Sequence, residues 1–280
     1  MIYPFLKGHG TENDFVLLPD PDGSVHGELS LDRVRALCDR RAGIGGDGVL
    51  RVIRTSAYDA LACSAGSRGQ EAEWFMDYRN SDGSTSEMCG NGIRVFARYL
   101  VDEGLVDGSA PIPVGTRDGV KVLRVEGDQI TADMGGARVL GETVVSVDHL
   151  ELAAVHIETG NPHAVAFVDS LDEAGPLLVA PGHDRSVYPQ GVNVEFVARR
   201  GERHVAMRVH ERGSGETRSC GTGACAVMVA SALDDGVIRD ADVTYRVDVP
   251  GGTLHVTWTV DDRVFLTGPA VIVARGTTDL

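Results

Sequence analysis

Two cysteines carry the reactive chemistry that this sequence offers. Residues 80–100 read NSDGSTSEMCGNGIRVFARYL and residues 211–233 read ERGSGETRSCGTGACAVMVASAL. With Cys89 set on Cys220, a Cys-Gly-x-Gly motif matches, and an apolar run of helical length follows each time. Nine residues before each cysteine stands a polar residue, Asn80 or Glu211, and thirteen before stands Met76 or Met207. An offset of 131 residues in a chain of 280 is about half its length, so the chain reads as two copies of one unit. A cysteine at a helix start meets free backbone N–H groups and the positive end of the helix dipole, which lower its pKa and favour thiolate. The glycines that follow let a ligand reach the same N–H groups, an arrangement suited to a carboxylate.

If the two copies face each other, two thiols meet across one cleft, and three uses fit. A redox pair is one, although such pairs usually lie near one another in sequence. A zinc site is another. His163 and Glu211 could add ligands, but no pair has the short spacing of a zinc knuckle. The third is proton transfer at both faces of one carbon, one thiolate removing a proton while the opposite thiol delivers another. That chemistry needs no cofactor and demands acid and base in line, so it is the preferred reading.

The elements that must position these groups are legible from periodicity. Trp74, Met76, Tyr78 and Asn80 share one face of a strand, as do Val205, Met207, Val209 and Glu211 in the second copy. Each apolar row thus ends in one polar residue pointing inward where the cysteine loop begins. The helix after Cys89 spans about Gly90–Glu103 and stops at Gly104. Its counterpart, Gly221–Leu233, is apolar nearly all round, so a sheet curled around it is the simplest cover. Ser30 caps a further helix, Leu31 to Arg41, with Val34, Leu37 and Cys38 inward. The opening Lys7–Phe15 stretch reads as turn-rich, running into a strand at Val16–Leu18. Gly43–Gly48 reads as a glycine loop ahead of the strand Val49–Arg54, without the spacing of a phosphate loop. Residues 55–72 read as an exposed loop, with Cys63 incidental. Short strands are expected at Val120–Val125, Ile130–Asp133, Thr143–Val147, Leu152–Glu158, Val165–Val168, Val192–Val197, Val243–Val249, Thr253–Val260 and Val271–Ala274. Many short strands with few helices favour mixed or antiparallel sheets over a doubly wound parallel one.

Composition removes several classes. A formal charge of −15 argues against nucleic acid or anionic membrane as partner. No apolar run approaches the roughly 18 residues of a membrane helix, and MIYPFLKGHG lacks the pattern of a signal peptide. Five cysteines without a C-x-x-C pair suit free thiols in a reducing cytoplasm. Lys7 and Lys121 are the only lysines, and neither sits in a context that suits a pyridoxal phosphate Schiff base. No metal or other cofactor is expected.

Several further motifs stand in order along the chain: Gly10-Thr11-Glu12-Asn13-Asp14-Phe15, Asn80-Ser81-Asp82-Gly83-Ser84, Met88-Cys89-Gly90-Asn91-Gly92-Ile93-Arg94, Gly160-Asn161-Pro162-His163, Gly191-Val192-Asn193 and Glu211 through Gly223. Together they resemble the diaminopimelate epimerase family over nearly the whole chain. The resemblance implies an α+β fold of the α/β class, with two pseudo-symmetric domains, each a curved mixed or antiparallel sheet wrapped around a central helix. In such relatives the last strand returns to the first domain, which implies residues 1–132 with 268–280 in one domain and 133–267 in the other. It also implies cofactor-independent interconversion of LL- and meso-diaminopimelate, a step toward lysine and peptidoglycan, by a cytoplasmic homodimer acting on a small amino acid.

Carried over by position, Cys89 and Cys220 match the catalytic pair, and His163 and Glu211 match residues that tune the thiols. Asn13, Asn80, Asn161, Asn193, Glu211 and Arg212 match the substrate-binding set, while Gly90, Asn91, Gly221 and Thr222 match the loops that hold the reacting end. Gly48 departs from the pattern, standing where many relatives carry a glutamine, and Asp47 beside it is left out of the site. Glu12 stands where glycine is common, and the 55–72 loop looks long. The rival readings are a proline racemase-like enzyme, a phenazine-pathway isomerase and a non-catalytic amino-acid binding protein; retention of both thiols weighs against the last two.

Overall fold

The structure is a computed structural model that describes residues 2–61, 71–238 and 240–280. The chain divides into two compact units, Met1–Ala132 with Pro269–Leu280, and Asp133–Gly268. In chain order the first unit contains β1 (Tyr3–Gly10), β2 (Asn13–Pro19), α1 (Leu31–Cys38), β3 (Gly48–Arg54), α2 (Thr55–Leu61), β4 (Trp74–Asn80), α3 (Gly90–Asp102), β5 (Ile112–Thr116), β6 (Gly119–Glu126) and β7 (Gln129–Gly135). The second contains β8 (Arg138–Val147), β9 (Leu150–Glu158), β10 (Pro162–Phe167), β11 (Gly182–His183), β12 (Asn193–Gly201), β13 (His204–Glu211), β14 (Gly215–Thr217), α4 (Gly221–Asp234), β15 (Val243–Val249), β16 (Gly252–Trp258) and β17 (Val264–Pro269). The last strand, β18 (Val271–Thr278), pairs antiparallel with β1 and so belongs to the first unit.

Both sheets are mixed and follow one rule. Along β1-β2-β3-β4-β5-β6-β7 the pairings run antiparallel, parallel, antiparallel, parallel, antiparallel, antiparallel. Along β9-β10-β12-β13-β15-β16-β17 they run in the same order. Each sheet curls around one helix. Strands β1, β2, β3, β4, β6 and β18 touch α3, and β9, β10, β12, β13, β15 and β16 touch α4. Enclosure explains the composition of α4, which is buried from Gly223 to Ala232 and carries no polar stripe.

Local signals hold where their chemistry is specific. The Ser30 side chain accepts from Arg33 N and caps α1, and Val34, Leu37 and Cys38 are its buried face. That helix ends at Cys38, earlier than Arg41, because Asp39 turns to extended backbone and its Oδ1 accepts from Arg41 N and Ala42 N. The stretch Lys7–Gly10 is strand rather than turn. Only Thr11 and Glu12 make the reversal, with φ of 46° and 62°, the left-handed region that explains why glycine suits position 12. Residues 55–61 form α2 rather than loop. Thr55 Oγ1 donates to Ala72 O, and the Tyr58 ring stacks on Phe75 at 3.9 Å. Cys63 lies outside the described residues. In β4 the alternation is incomplete, since Phe75 and Asp77 are buried as well as Trp74 and Met76.

Candidate active site

Cys89 and Cys220 occupy the same place in the two units. Each is the N-cap of its enclosed helix, with φ/ψ of −138°/118° and −121°/115°, and each sulfur accepts from the N–H three residues on, Gly92 or Gly223, at 3.4 Å. The glycines at those helix positions are closely packed. A Cβ on Gly92 would lie 3.2 Å from Leu50 Cδ2 and 3.5 Å from Cys89 Sγ. A Cβ on Gly223 would lie 2.7 Å from Glu195 Oε1 and 3.3 Å from Cys220 Sγ.

Strand register makes the units comparable residue by residue. Phe15 pairs with Gly48 and Gly48 with Asn80; His163 pairs with Asn193, which lies one step from the Val194–His210 pair and so opposite Glu211. Two residues along, Leu50 of the first unit corresponds to Glu195 of the second.

Around Cys89, which is half-buried, the expected partners converge in part. Asn13 Oδ1 lies 3.7 Å from the sulfur and accepts from Asn91 Nδ2 at 3.2 Å. Gly90 O and Asn91 Oδ1 each accept from the buried Arg94 guanidinium at 2.9 Å, which locks the first turn of α3. Asn13 Nδ2 in turn donates to Asp47 Oδ2 at 2.7 Å. Asp47, with Arg40, Asp14 and Lys7, forms an ionic network at the mouth of the β1–β2 hairpin. Burial lifts the Asp47 carboxyl; Asp14, although burial works against it, is held low by Arg40 and Lys7. Asn80 Nδ2 donates to Ser84 Oγ, closing its own turn. At Gly48, where the resemblance implies a glutamine, an added Cβ would stand 2.5 Å from Arg79 O and 2.7 Å from the Tyr78 ring, so a side chain would need its neighbours to shift.

Around Cys220 the partners are ionisable. The sulfur is buried and lies 3.5 Å from Thr222 Oγ1, while Thr222 O accepts from Thr159 Oγ1. Glu211 accepts from Thr217 Oγ1 and bonds the Cys220 thiol; desolvation pushes its carboxyl above the usual range. His163 and Glu195, both fully buried, meet at 2.6 Å through Nδ1 and Oε1, and His163 Nε2 meets Asn161 Oδ1 at 2.9 Å. Asn193 Oδ1 accepts from Arg212 N, while the Arg212 guanidinium reaches Gln190 O and its stem packs on Gly191. The expectation that a helix start lowers the thiol pKa fails at Cys220. Burial, then the charges of Glu211 and Glu195, raise it well above the ordinary value, outweighing the Gly223 N–H.

Three residues of this chemistry escaped sequence reading: Asp47, Arg94 and Glu195. Arg94 was signalled as a cation inside an otherwise apolar helix start, and Glu195 as an acid between Val194 and Phe196 on the strand face that carries Asn193. Among the described residues, no three His, Cys, Asp or Glu side chains are grouped to hold a metal, four cysteines are free, and no helix is long and apolar enough to cross a membrane.

Comparison with known proteins agrees with this geometry. Crystal structures of a phenazine biosynthesis protein from Bacillus anthracis and of a hydroxyproline epimerase from Agrobacterium vitis share the fold. Their TM-scores are 0.72 and 0.69 at 17% and 14% identity, covering 100% and 99% of this chain and 100% and 91% of theirs. Much nearer in sequence are proteins named diaminopimelate epimerase. That of Streptomyces coelicolor is 56% identical over 98% of this chain and 95% of its own, and that of Thermobifida fusca is 49% identical over 97% and 96%. The family model described as diaminopimelate epimerase matches residues 5–140 and 155–273. With its motifs, its paired half-sites and these matches in accord, the chain belongs to the diaminopimelate epimerase family, a family of isomerases.

Proposed function

We propose that this protein interconverts LL- and meso-2,6-diaminopimelate by moving protons at one Cα between Cys89 and Cys220. In the forward step one sulfur, as thiolate, takes the α-proton. The other, as thiol, gives its proton to the opposite face, so product leaves with the two protonation states exchanged. The observation that carries this reading is the matched pair of helix-capping cysteines, each held by the N–H of the third residue on. The substrate carboxylate at the reacting centre is assigned to the N–H groups at Gly90–Asn91 and Gly221–Thr222. Asn13, Asn80, Asn161, Asn193, Glu211 and Arg212 are assigned to binding the substrate's remaining charged groups, for which amides, a carboxylate and a guanidinium are suited partners.

No cofactor enters this scheme. Both lysines are ion-paired, Lys7 with Asp14 and Lys121 with Asp118, which disfavours a Schiff base. The free thiols support a cytoplasmic enzyme, and family likeness supports a homodimer. The test is incubation with a panel of amino acids in D₂O, following deuterium at Cα and inversion together. Diaminopimelate is expected to show both. Inversion of proline or hydroxyproline in its place overturns the substrate assignment, and solvent exchange in none of them overturns the chemistry.

A further inference from the structure

Glu195 has no assigned role in this reaction, yet its setting is costly. The side chain is fully buried between Val194 and Phe196, Oε1 reaches His163 Nδ1 at 2.6 Å, and Oε2 has no hydrogen-bond partner. Burying a carboxylate and an imidazole together is seldom favourable over apolar side chains of similar size. The first unit shows that the scaffold does not require it: at the corresponding ladder positions stand Phe15 and Leu50, both fully buried. The carboxylate also flanks Gly223 together with Cys220 Sγ, so it sits in the first turn of α4, where the helix dipole favours an anion.

We propose that Glu195 is a positioning residue for the second half-site. It acts through His163, accepting from Nδ1–H while Nε2–H donates to Asn161 Oδ1, so that both ring nitrogens are held as donors. This rests on the functional reading above and assigns it a further part. With its ring held at both nitrogens, His163 has one orientation beside the thiol loop, and Asn161 is held in turn. Glu195 also places a second negative charge beside Cys220, in addition to that of Glu211. The ionisable groups that face this centre are Glu195 on β12, Glu211 on β13, and His163 on β10, with His156 of β9 next to His163. In the first half-site the same ladder positions carry no titratable group, so the device serves one thiol only.

The test compares Glu195→Gln and Glu195→Leu in the full-length enzyme. Nitrogen-15 NMR of the imidazole groups, with His163 assigned through His163→Gln, reads the Nδ1 proton directly. A slowly exchanging Nδ1–H bonded to a carboxylate is expected in the parent protein, retained toward the amide oxygen in Glu195→Gln and lost in Glu195→Leu. Turnover of diaminopimelate is expected to fall on the order of 100-fold in Glu195→Leu. Most of this should lie in kcat rather than KM, with partial rescue in Glu195→Gln and an altered pH profile in both variants. An unchanged His163 spectrum in a folded Glu195→Leu protein, or parent kcat and pH profile in that variant, overturns the proposal. If the parent protein leaves diaminopimelate unchanged, the functional reading fails by itself, and the nitrogen spectra still decide the role of Glu195.

Discussion

At the ladder positions beside Cys89 the sheet carries Phe15 and Leu50; beside Cys220 it carries His163 and Glu195. Five residues past the cysteine the polarity reverses, with the buried guanidinium of Arg94 in α3 and the thiol of Cys225 in α4. One scaffold, built twice, thus sets its first sulfur beside the amide of Asn13 and a turn locked by Arg94, and its second among carboxylates. In the proposed exchange one sulfur starts as thiolate and the other as thiol, and the departures from symmetry give the two sulfurs different surroundings.

The comparison breaks most visibly if either sulfur is removed. Cys89→Ala and Cys220→Ala should each lower inversion by several orders of magnitude, since both faces are used in every turnover. Each variant should still exchange the α-proton of one isomer with D₂O, and the two should prefer opposite isomers. Exchange of the same isomer by both, followed by proton NMR, would mean that the thiols do not divide the faces.

Making the first half resemble the second should be nearly as disruptive. Leu50→Glu places a carboxylate against Gly92 with Phe15, not a histidine, at the neighbouring ladder position. An unpaired buried charge of this kind costs about 3–5 kcal/mol, read as a lowered urea midpoint, and Leu50→Glu with Phe15→His should recover part of it. No loss of stability in the single variant would show that the apolar character of this half is incidental.

Thiol reactivity separates the halves more gently. The Cys220 thiol, raised by burial and by Glu211 and Glu195, stays protonated at neutral pH. Its alkylation by iodoacetamide should therefore climb about tenfold per pH unit between pH 7 and 9 without levelling off. Cys89, half-buried and next to the Arg94-locked turn, should be modified first, as peptide mass spectrometry would reveal. Faster modification of Cys220 would invert the assignment.

The smallest expected difference lies in the two glycines. In Gly92→Ala the added methyl group meets the mobile end of Leu50, and the gain in helix propensity of up to ~1 kcal/mol offsets the crowding. In Gly223→Ala the methyl group meets Glu195 Oε1, already held by His163, so melting temperature should drop only in this variant.

The sequence made the paired cysteine loops legible because helix starts, glycines and strand alternation are local features. Cys89 and Cys220 cap α3 and α4, and Trp74–Asn80 and Val205–Glu211 lie in β4 and β13. What escaped was set by contact at long range. Asn80 and Glu211 occupy the same repeat position, yet Asn80 bonds Ser84 while Glu211 bonds the thiol, a difference no spacing reveals. Asp47 was passed over beside the unusual Gly48, although it is Asp47 that holds Asn13. Strand β17 went unread because Val264–Pro269 is short and ends in Gly-Pro, signals that by themselves read as a turn.

The pairing of β18 with β1 has a consequence for how this protein is made. Tyr3 is registered with Thr278, so the N-terminal strand emerges from the ribosome long before its neighbour exists. At ordinary synthesis rates the interval between Ala132 and the arrival of β18 is on the order of 10 s, ample time for Asp133–Gly268 to begin collapsing. Throughout it, one edge of β1 offers unpaired N–H and C=O groups, the kind of edge that recruits other chains. Nascent molecules are therefore exposed to misassembly until β18 has been made, and removing β18 should harm yield more than an equal loss from an exposed loop.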